Sequence, residues 1–356
     1  MSRIADILTE WYGTCGRDLP WRQTRDPYRI WLSEVILQQT RIAQGTDYYL
    51  RFLARFADVA ALAAASEDEV LKLWQGLGYY SRARNLRAAA QQVVERHGGV
   101  FPTDYADVRA LKGVGDYTAA AICSFACDAP LAVVDGNVYR VLSRLFDIDL
   151  PIDTAEGRKA FAELAQQQLD KRQPAHYNQA IMDFGALQCT PANPACGTCP
   201  LQAQCLARAA GTVDARPVKQ GKTRVRNRYL NYLHLCCEGR IALLRRPEGD
   251  IWQGLYDLPC IESGHLLDFA ELCGTESFHK LLDGCDCRLR RTLRMPKHQL
   301  SHQTLHAVYH RLELDRWPAA AGGWQLTTPE ALGDYALPRL LERYFSTEAE
   351  AVLPLE

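Results

Sequence analysis

The 356-residue sequence lacks several features that would assign a protein to a particular class. Its apolar runs, such as residues 60–65 and 131–134, fall far short of the roughly 20 residues needed to cross a bilayer. The N-terminus has neither a basic start followed by an apolar core nor a small-residue cleavage site. We find no internal repeat and no low-complexity segment. We therefore expect a soluble, unsecreted protein of the bacterial cytoplasm.

The sequence also lacks an overall excess of charge, because 41 Lys and Arg residues face 42 Asp and Glu residues. A charged partner therefore has to be inferred from where the charges lie. Residues 214–228 carry an excess of positive charge. They contain a single aspartate and six cations, which are Arg216, Lys219, Lys222, Arg224, Arg226 and Arg228. This segment is predicted to be either a solvated basic linker or a surface that contacts phosphates.

Length and pattern predict two domains, since a typical domain has roughly 100 to 200 residues. Through residues 1–210, apolar residues recur every three or four positions with glycine or proline between segments, which predicts an all-α domain. A linker is predicted at residues 211–228. Period-two alternation at residues 229–235 and 303–314 predicts an α+β domain over residues 229–346. We expect the chain to be a monomer.

Thirteen cysteines in an unsecreted chain indicate reduced thiols, so clustered spacing favours metal binding over disulfides. Four of them follow the spacing C-x6-C-x2-C-x5-C in a loop with prolines and a glycine, and these are Cys189, Cys196, Cys199 and Cys205. Zinc knuckles usually combine two short-spaced pairs, whereas this loop has one. The spacing therefore favours an iron–sulfur cluster over tetrahedral zinc. The other nine cysteines are predicted to pack in the cores.

The stretch LKGVG at residues 111–115 separates two short predicted helices within residues 103–126. Gly113 and Gly115 would let the backbone turn tightly and present N–H groups, beside a helix N-terminus, to a phosphate. This is the form of a helix-hairpin-helix motif. A tight connection between two packed helices could use the same glycines, so the pattern alone leaves both interpretations open.

Two carboxylates occupy contrasting positions. Asp26 and Pro27 are predicted to begin a helix that places Glu34 in an apolar stripe, where desolvation should raise the carboxyl pKa and retain a proton near neutral pH. Asp135 precedes the helical pattern that includes Val138, so backbone N–H groups and the helix dipole should favour its ionised form. An acid beside an anion suits the cleavage of a glycosidic bond. Taken singly, Glu34 could be a surface residue and Asp135 a plain N-cap.

Together these motifs resemble the MutY-type adenine DNA glycosylases, a family within the helix-hairpin-helix superfamily that includes endonuclease III. The resemblance covers the whole helical domain in order. Its matching stretches are residues 19–22, 31–40, 76–86 and 133–140 together with the cysteine loop.

The resemblance implies a role for each residue of a pocket. Glu34 would protonate the adenine base, and Asp135 would stabilise an oxocarbenium ion. Tyr117 and Asn137 would line the pocket and orient these groups, with Arg22 close by. Because Tyr117 stands where endonuclease III-like enzymes carry a lysine that forms a Schiff base, we expect base removal without efficient strand cleavage.

The same resemblance implies how the protein would hold DNA. Gln39 and Tyr79 would wedge into the duplex as the base leaves the stack. Gly113 and Gly115 would bind a phosphate, with Lys112 in place of the proline common in the family. The cysteine loop would hold one 4Fe-4S cluster. We expect this cluster to brace the fold and the DNA contact rather than to take part in bond breaking.

The C-terminal half resembles the Nudix-like domain of the same family, through residues 246–247, 252–259 and 335–338. It lacks a G-x5-R-E-x2-E-E box, so we expect it to recognise a ligand rather than to hydrolyse a pyrophosphate. In the family this domain reads 8-oxoguanine opposite adenine with a Phe-Ser-His loop. The corresponding positions here are Leu300, Ser301 and His302, which keep both hydrogen-bonding groups but replace the aromatic ring.

The sequence therefore predicts a monofunctional adenine glycosylase that acts on duplex DNA with A:8-oxoguanine or A:G mispairs and does not bind a membrane. An oxidised-pyrimidine glycosylase of the endonuclease III kind is the alternative enzyme, and Tyr117 and the C-terminal domain count against it. A non-catalytic iron–sulfur protein that binds DNA or senses redox state is the alternative from another class. It would need the cluster but not both Glu34 and Asp135.

Overall fold

The computed structural model describes residues 3–221 and 225–350. The described residues form two compact units. The second unit comprises residues 65–84 together with residues 225–350, and the first comprises the rest. Within these ranges no helix is both long enough and apolar enough to cross a membrane.

The first unit is built from α-helices and short 3-10 turns, as the three-and-four periodicity predicted. Asp26 begins one helix as an N-cap, because its carboxylate accepts from the backbone N–H of Tyr28 and Pro27 occupies the first turn. The helices of the chain up to residue 210 are α1 (Ile4–Cys15), α2 (Pro27–Leu37), α3 (Ile42–Arg55), α4 (Val59–Ala64), α5 (Glu67–Trp74), α6 (Ser81–His97), α7 (Tyr105–Arg109), α8 (Asp116–Cys127), α9 (Gly136–Leu145), α10 (Ala155–Gln168), α11 (Pro174–Leu187) and α12 (Leu206–Ala210).

The core of the first unit brings α1, α9, α10 and α11 together. Leu8, Leu142, Phe161 and Phe184, one from each of these helices, are buried in a single cluster. A separate pair, α2 and α8, packs side by side in the same unit. The helices that carry Glu34 and Asp135 are therefore fixed by apolar packing before any polar contact is considered.

Asn178 of α11 fixes the segment that leads to α9. Its buried amide donates to the Leu131 carbonyl at 2.8 Å and to Ser124 Oγ at 2.9 Å, and its carbonyl oxygen accepts from Val133 N–H at 3.1 Å. Because Asp135 lies two residues beyond Val133, these bonds set the point at which Asp135 begins α9.

The second unit contains an eight-stranded sheet and confirms the predicted α+β class. Its strands are β1 (Arg226–Cys237), β2 (Arg240–Arg245), β3 (Tyr256–Asp257), β4 (Cys260–Ser263), β5 (Cys287–Arg294), β6 (His298–Gln299), β7 (Gln303–Leu314) and β8 (Gln325–Thr327). The strand path is β3-β2-β1-β7-β5, with β4 beside β1, β6 beside β7 and β8 beside β2. The long strands β1 and β7 run parallel.

Helices cover both faces of this sheet. The helices that follow β4 are α13 (Phe269–Cys273), α14 (Glu276–Leu282) and α15 (Arg339–Glu350). On one face Leu233 and Leu312 pack in the same cluster as residues of α13 and α14. On the other face the ring of Tyr309 stacks on Tyr344 of α15, with ring centroids 4.0 Å apart.

Residues 65–84 belong to the second unit, whereas the sequence predicted one helical domain over residues 1–210. Polar contacts attach them there. Lys72 Nζ donates to the Tyr335 carbonyl at 2.8 Å, and Arg245 pairs with Asp68 at 2.8 Å. The residues that bind α5 are distant from it in the sequence. The apolar periodicity of α5 shows that it is a helix but not which of the two units it packs against. The local pattern could therefore not assign this segment.

The structure also corrects the prediction of a continuous basic linker at residues 211–228. Arg216 lies in the first unit and pairs with Asp147 at 3.0 Å. Arg228 lies in β1 and pairs with Glu262 at 2.7 Å. The cations at positions 222 and 224 lie outside the described residues. Arg226 also pairs with Glu262, at 3.8 Å, so all three arginines in the described part of this segment are engaged by carboxylates.

Replacing Asn178 by alanine should lower the free energy of unfolding by about 2–4 kcal/mol, since buried backbone groups lose their partners at roughly 1–3 kcal/mol each. Urea unfolding followed by circular dichroism measures the change. Ser124→Ala removes one of the same bonds but leaves the backbone groups paired, so its cost should be only about 1 kcal/mol. Unchanged stability of the Asn178 variant would contradict this role.

Candidate functional site

Glu34 is a buried carboxyl group inside the first unit, with only 9% of its surface exposed. Desolvation raises its pKa to about 7. The hydrogen bond from Tyr117 and the charge of Arg22 oppose this rise, whereas the charge of Asp135 adds to it. Near neutral pH about half of the Glu34 side chains therefore carry a proton. The apolar stripe around Glu34 had predicted this rise in its pKa.

Tyr117 holds the Glu34 carboxyl in place. It lies in the first turn of α8, and its hydroxyl donates to Glu34 Oε2 at 3.0 Å. Burial raises the pKa of the Tyr117 phenol well above its ordinary value. The phenol therefore stays protonated and remains a hydrogen-bond donor.

Asp135 caps α9, as its position predicted. One carboxylate oxygen accepts from the backbone N–H groups of Asn137 and Val138, both at 2.8 Å, and the other accepts from Asn137 Nδ2 at 2.7 Å. These bonds favour the anion, but burial outweighs them and raises the pKa of Asp135 above its ordinary value. The sequence predicted only the first effect, because an N-cap can be read from the sequence and its burial cannot.

Asp183 of α11 was not predicted, and it anchors two arginines. It is fully buried, binds Arg22 through two hydrogen bonds at 2.6 and 2.7 Å, and also pairs with Arg17. Burial alone would raise the pKa of Asp183, but the hydrogen bonds from Arg22 and Arg17 lower it to about 2. A signal was present, since this aspartate interrupts the apolar stretch AIMDFGAL at residues 180–187.

One cavity of about 340 Å³ in the first unit collects the residues predicted for catalysis. Its lining includes all five of them, Glu34, Asp135, Tyr117, Asn137 and Arg22, and also Gln39, which was predicted to contact DNA. A volume of this order lies at the lower end of the range in which proteins hold small ligands, roughly 300–1000 Å³. The cavity is therefore large enough for a small ligand.

The predicted hairpin lies between α7 and α8. Gly113 has a φ of 76°, and a Cβ atom there would lie 2.8 Å from Cβ of Asn85, so this position requires glycine. Gly115 has a φ of −95° and open space around it, so it does not. Arg109 pairs with Asp116 at 2.6 Å and thereby ties the two helices together.

The four cysteines of the loop face one small cavity beside α9. None of the cysteines in the described chain forms a disulfide, and no group of three or more donors there is arranged for a single metal ion. A cluster binds each sulfur through a different iron atom, so its thiols share a space without meeting at one point. The four thiols beside one cavity are the donor set that a cluster with four cysteine ligands requires. Cys15 and Cys127 are exposed, so the prediction that the other nine all pack is wrong for these two.

Two arginines of α9 hold the cysteine loop. Arg144 donates to the Thr190 carbonyl at 2.7 Å and to Cys189 Sγ at 3.5 Å. Arg140 Nε donates to the Cys189 carbonyl at 2.7 Å, and its Nη2 donates to Asn137 Oδ1 at 2.8 Å. Since Asn137 in turn donates to Asp135, a path of hydrogen bonds connects the cysteine loop to the aspartate. The sequence places Asn137 and Arg140 one helical turn apart but does not show their partner in the loop.

The remaining predicted DNA contacts surround a groove of about 540 Å³ in the second unit. Tyr79, Ser301 and His302 all line it, and the hydroxyls of Tyr79 and Ser301 are hydrogen-bonded to each other. Leu300 lines it as well, so an aliphatic side chain occupies the place of the family's aromatic ring. Tyr79 is 43% exposed, which excludes the interpretation of this residue as part of a core.

Gln39 and Tyr79, the two predicted wedges, share an unusual backbone conformation. Their φ angles are 55° and 46°, in the left-handed region that residues with a side chain seldom adopt. Both residues are exposed. Strain that is retained at exposed positions is typical of sites with a function.

Both parts of the chain are similar to known protein families. Residues 32–167 match the model of the HhH-GPD superfamily base excision DNA repair proteins, and residues 231–347 match the NUDIX domain. The adenine DNA glycosylase of Buchnera aphidicola subsp. Baizongia pistaciae is 32% identical over 307 residues, which cover 84% of this chain and 83% of the relative. The chain belongs to the adenine DNA glycosylase family. The predicted resemblance is thereby confirmed.

Mammalian members of the family are matched over a smaller share of their length. The rat adenine DNA glycosylase is 44% identical over 221 residues, which are 58% of this chain and 43% of the rat protein. The match therefore spans less than half of that relative. Among solved structures, a thermostable thymine-DNA glycosylase aligns with a TM-score of 0.55 and 29% identity over 58% of this chain and 95% of that one. The predicted glycosylase fold is confirmed.

Glu34→Gln should remove a pH dependence of stability. Because the folded protein raises the pKa of Glu34 from 4.5 to about 7, folding becomes less favourable as the pH rises through this range. With one pKa unit equivalent to about 1.4 kcal/mol, the variant should be up to about 3 kcal/mol more stable than the unchanged chain at about pH 8. Urea unfolding at about pH 5 and pH 8 measures the difference.

The matched control is Glu163→Gln, which removes an exposed carboxylate of α10. Its effect on stability should be small at either pH. If the advantage of Glu34→Gln were the same at both pH values, Glu34 would not be the buried acid described above.

Proposed function

We propose that this protein is a monofunctional adenine DNA glycosylase of base excision repair. It would hydrolyse the N-glycosidic bond of adenine mispaired with 8-oxoguanine or guanine and leave an abasic site. The observation that carries the proposal is the meeting of Glu34 and Asp135 at one cavity, with the pKa of Glu34 at about 7. An acid of this strength can protonate a leaving base, and a neighbouring carboxylate can face the charge that develops on the sugar.

The proposed reaction uses the two carboxyl groups in sequence. Glu34 donates its proton to a ring nitrogen of adenine, and the base leaves with the electron pair of the glycosidic bond. The sugar becomes an oxocarbenium ion beside the Asp135 carboxylate. Water then adds to the sugar carbon and loses a proton to a carboxylate, which gives the abasic site. Tyr117 orients the acid, and Asn137 holds the anion.

Strand cleavage is not part of the proposed activity. A β-elimination that cuts the strand begins with a Schiff base between the sugar and an amine. Tyr117 offers a phenol at the position where endonuclease III-like relatives carry the lysine. This residue therefore favours adenine removal over the oxidised-pyrimidine activity considered above.

Access to the glycosidic bond requires that adenine leave the base stack. Gln39 and Tyr79 are exposed, and side chains of this size can fill the space that a base vacates. The hairpin around Gly113 and Gly115 would bind a phosphate of the same duplex through backbone N–H groups. Double-stranded DNA is therefore the proposed partner.

We infer that the groove of the second unit reads the base opposite adenine. Ser301 and His302 offer a hydroxyl and an imidazole that can form hydrogen bonds with the edge of 8-oxoguanine. Leu300 would add apolar contact without stacking. The hydroxyls of Tyr79 and Ser301 are hydrogen-bonded to each other, so the two side chains form one side-by-side pair in the lining of the groove.

We also propose that Cys189, Cys196, Cys199 and Cys205 hold one 4Fe-4S cluster. When bound, it would supply a cross-link that holds the loop in shape. The contacts of Arg140 and Arg144 with this loop support a structural role, because both arginines belong to α9 and Arg140 reaches Asp135 through Asn137.

The activity is tested with duplexes that contain A:8-oxoguanine, A:G or thymine glycol, each followed by alkali treatment. We expect release of adenine and alkali-labile sites from the first two duplexes, faster from the first, and no product from the third. No release of adenine from either adenine-containing duplex would refute the proposal, and cleavage at thymine glycol would favour the endonuclease III-like alternative.

The acid role of Glu34 has its own test. Glu34→Gln should slow single-turnover release of adenine by at least about a hundredfold while the variant still binds the duplex. In the unchanged protein the rate should fall about tenfold per pH unit above about pH 7, because Glu34 loses its proton there. Glu163→Gln is the control and should retain both rate and profile. Full activity of Glu34→Gln would contradict this assignment.

Removal of one proposed cluster ligand should weaken the protein as a whole. Cys199→Ser is expected to lower the iron content, the free energy of unfolding and the affinity for duplex DNA. Iron analysis, urea unfolding and a binding titration measure the three. Cys127→Ser replaces an exposed cysteine outside the loop and should change none of them. A Cys199 variant with full iron content would contradict the assignment.

A further inference from the structure

The backbone at Tyr79 has an unfavourable conformation that its surroundings must maintain. Gly78 and Tyr79 are consecutive residues with positive φ angles, at 73° and 46°. A glycine adopts this region at little cost, whereas a residue with a side chain remains there only where neighbouring contacts hold it. Because Tyr79 is exposed, the burial of its own ring supplies only part of this hold.

Two buried side chains hold the peptide group that precedes Tyr79. The Gly78 carbonyl accepts from Trp74 Nε1 at 3.0 Å and from Arg82 Nη2 at 3.2 Å. The same Nη2 also donates to the Leu77 carbonyl at 3.4 Å. A peptide group is planar, so donors that fix the Gly78 carbonyl also fix the plane from which the φ angle of Tyr79 is measured.

The side chain of Arg82 also contacts the ring of Tyr79. The guanidinium carbon lies over this ring at 5.8 Å from its centroid, and over the ring of Trp74 at 5.0 Å. Aromatic faces attract a cation, most strongly where water is excluded. Arg82 therefore binds both the backbone before Tyr79 and the Tyr79 side chain.

Stability alone does not account for Arg82. Only 9% of its surface is exposed, and burial lowers its pKa to about 10, although the Tyr79 phenol opposes this fall. The guanidinium is still charged at neutral pH, and removing a charge from water is unfavourable for folding. An apolar side chain of similar size would pack there without this cost. The same burial keeps the guanidinium away from a DNA phosphate.

We propose that Arg82 is a positioning residue that holds Tyr79 in the conformation from which its ring separates the bases of the duplex. Arg82 itself touches neither DNA nor the reacting atoms. A wedge that is already ordered in the free protein loses less conformational freedom when the duplex binds, so binding is tighter. The inference rests on the proposed role of Tyr79 as a wedge and deepens it.

The first test measures affinity in the variant Arg82→Leu, which removes the guanidinium and keeps apolar bulk. The duplex carries 8-oxoguanine opposite an adenine nucleotide with a 2′-fluoro sugar, which disfavours the oxocarbenium ion and so resists cleavage. We expect the dissociation constant to rise about tenfold, because much of one contact between a base and an aromatic ring is lost.

A double-mutant cycle with Tyr79→Ala shows whether Arg82 acts through Tyr79. The alanine variant should itself weaken binding. Adding Arg82→Leu to it should then change the dissociation constant by less than about twofold, because no ring remains to be positioned.

Insertion of the wedge has a separate readout that does not depend on affinity. A 2-aminopurine next to the 8-oxoguanine fluoresces more strongly when it is unstacked. At saturating protein, Arg82→Leu should give a signal closer to that of Tyr79→Ala than to that of the unchanged chain.

Lys72→Leu is the matched control, since it removes another partly buried cation from residues 65–84, one that binds the Tyr335 carbonyl. Its effect on binding should be the same with and without the Tyr79 ring. Arg82→Lys keeps the charge and one donor, so its affinity and fluorescence should be intermediate. Thermal unfolding shows whether each variant is folded. If Arg82→Leu does not fold, the cycle is measured with Arg82→Lys.

The outcomes separate this inference from the proposed function. An equal loss of affinity with and without the Tyr79 ring would overturn the positioning role. An unchanged fluorescence signal in Arg82→Leu would also overturn it, and either result would leave the glycosylase standing. Failure of the unchanged protein to release adenine would instead refute the proposed function.

Discussion

The burial of one carboxyl group is the constraint on which the helical unit depends. Glu34 can hold a proton near neutral pH only because it is removed from water, and this removal makes its anion costly. The packing of α2 on α8 buries most of its surface, and the Tyr117 hydroxyl donates a hydrogen bond to one of its oxygens. Asp183 fixes Arg22 at the same cavity as a buried ion pair, so that this cation does not turn Glu34 into a permanent anion.

The cysteine loop is connected to Asp135 more directly than its position in the sequence suggested. From the sequence it was expected to brace the fold and the DNA contact. In the structure, Arg140 binds the loop at the Cys189 carbonyl and binds Asn137, which holds Asp135. Distortion of the loop would therefore reach the aspartate through two hydrogen-bonded side chains. Asp135 and the cysteine loop belong to one hydrogen-bond network, because both contact residues of α9.

The groove of the second unit, to which we assign base recognition, is built from two distant parts of the chain. Residues 65–84 belong to this unit, and they place Tyr79 beside Ser301 in one groove. The sheet provides the rigid support, since helices cover both of its faces and leave β5 at the edge of the strand path.

The sequence by itself determined the local features: the N-caps at Asp26 and Asp135, the helical first part and the alternating strands of the second, and the spacing of the four cysteines. Each depends on residues a few positions apart, and together they sufficed for the family. Only the tertiary structure decided that residues 65–84 join the sheet, that Asp183 binds Arg22, and that burial raises the pKa of Asp135. These facts depend on burial and on partners distant in the chain, which local periodicity does not record.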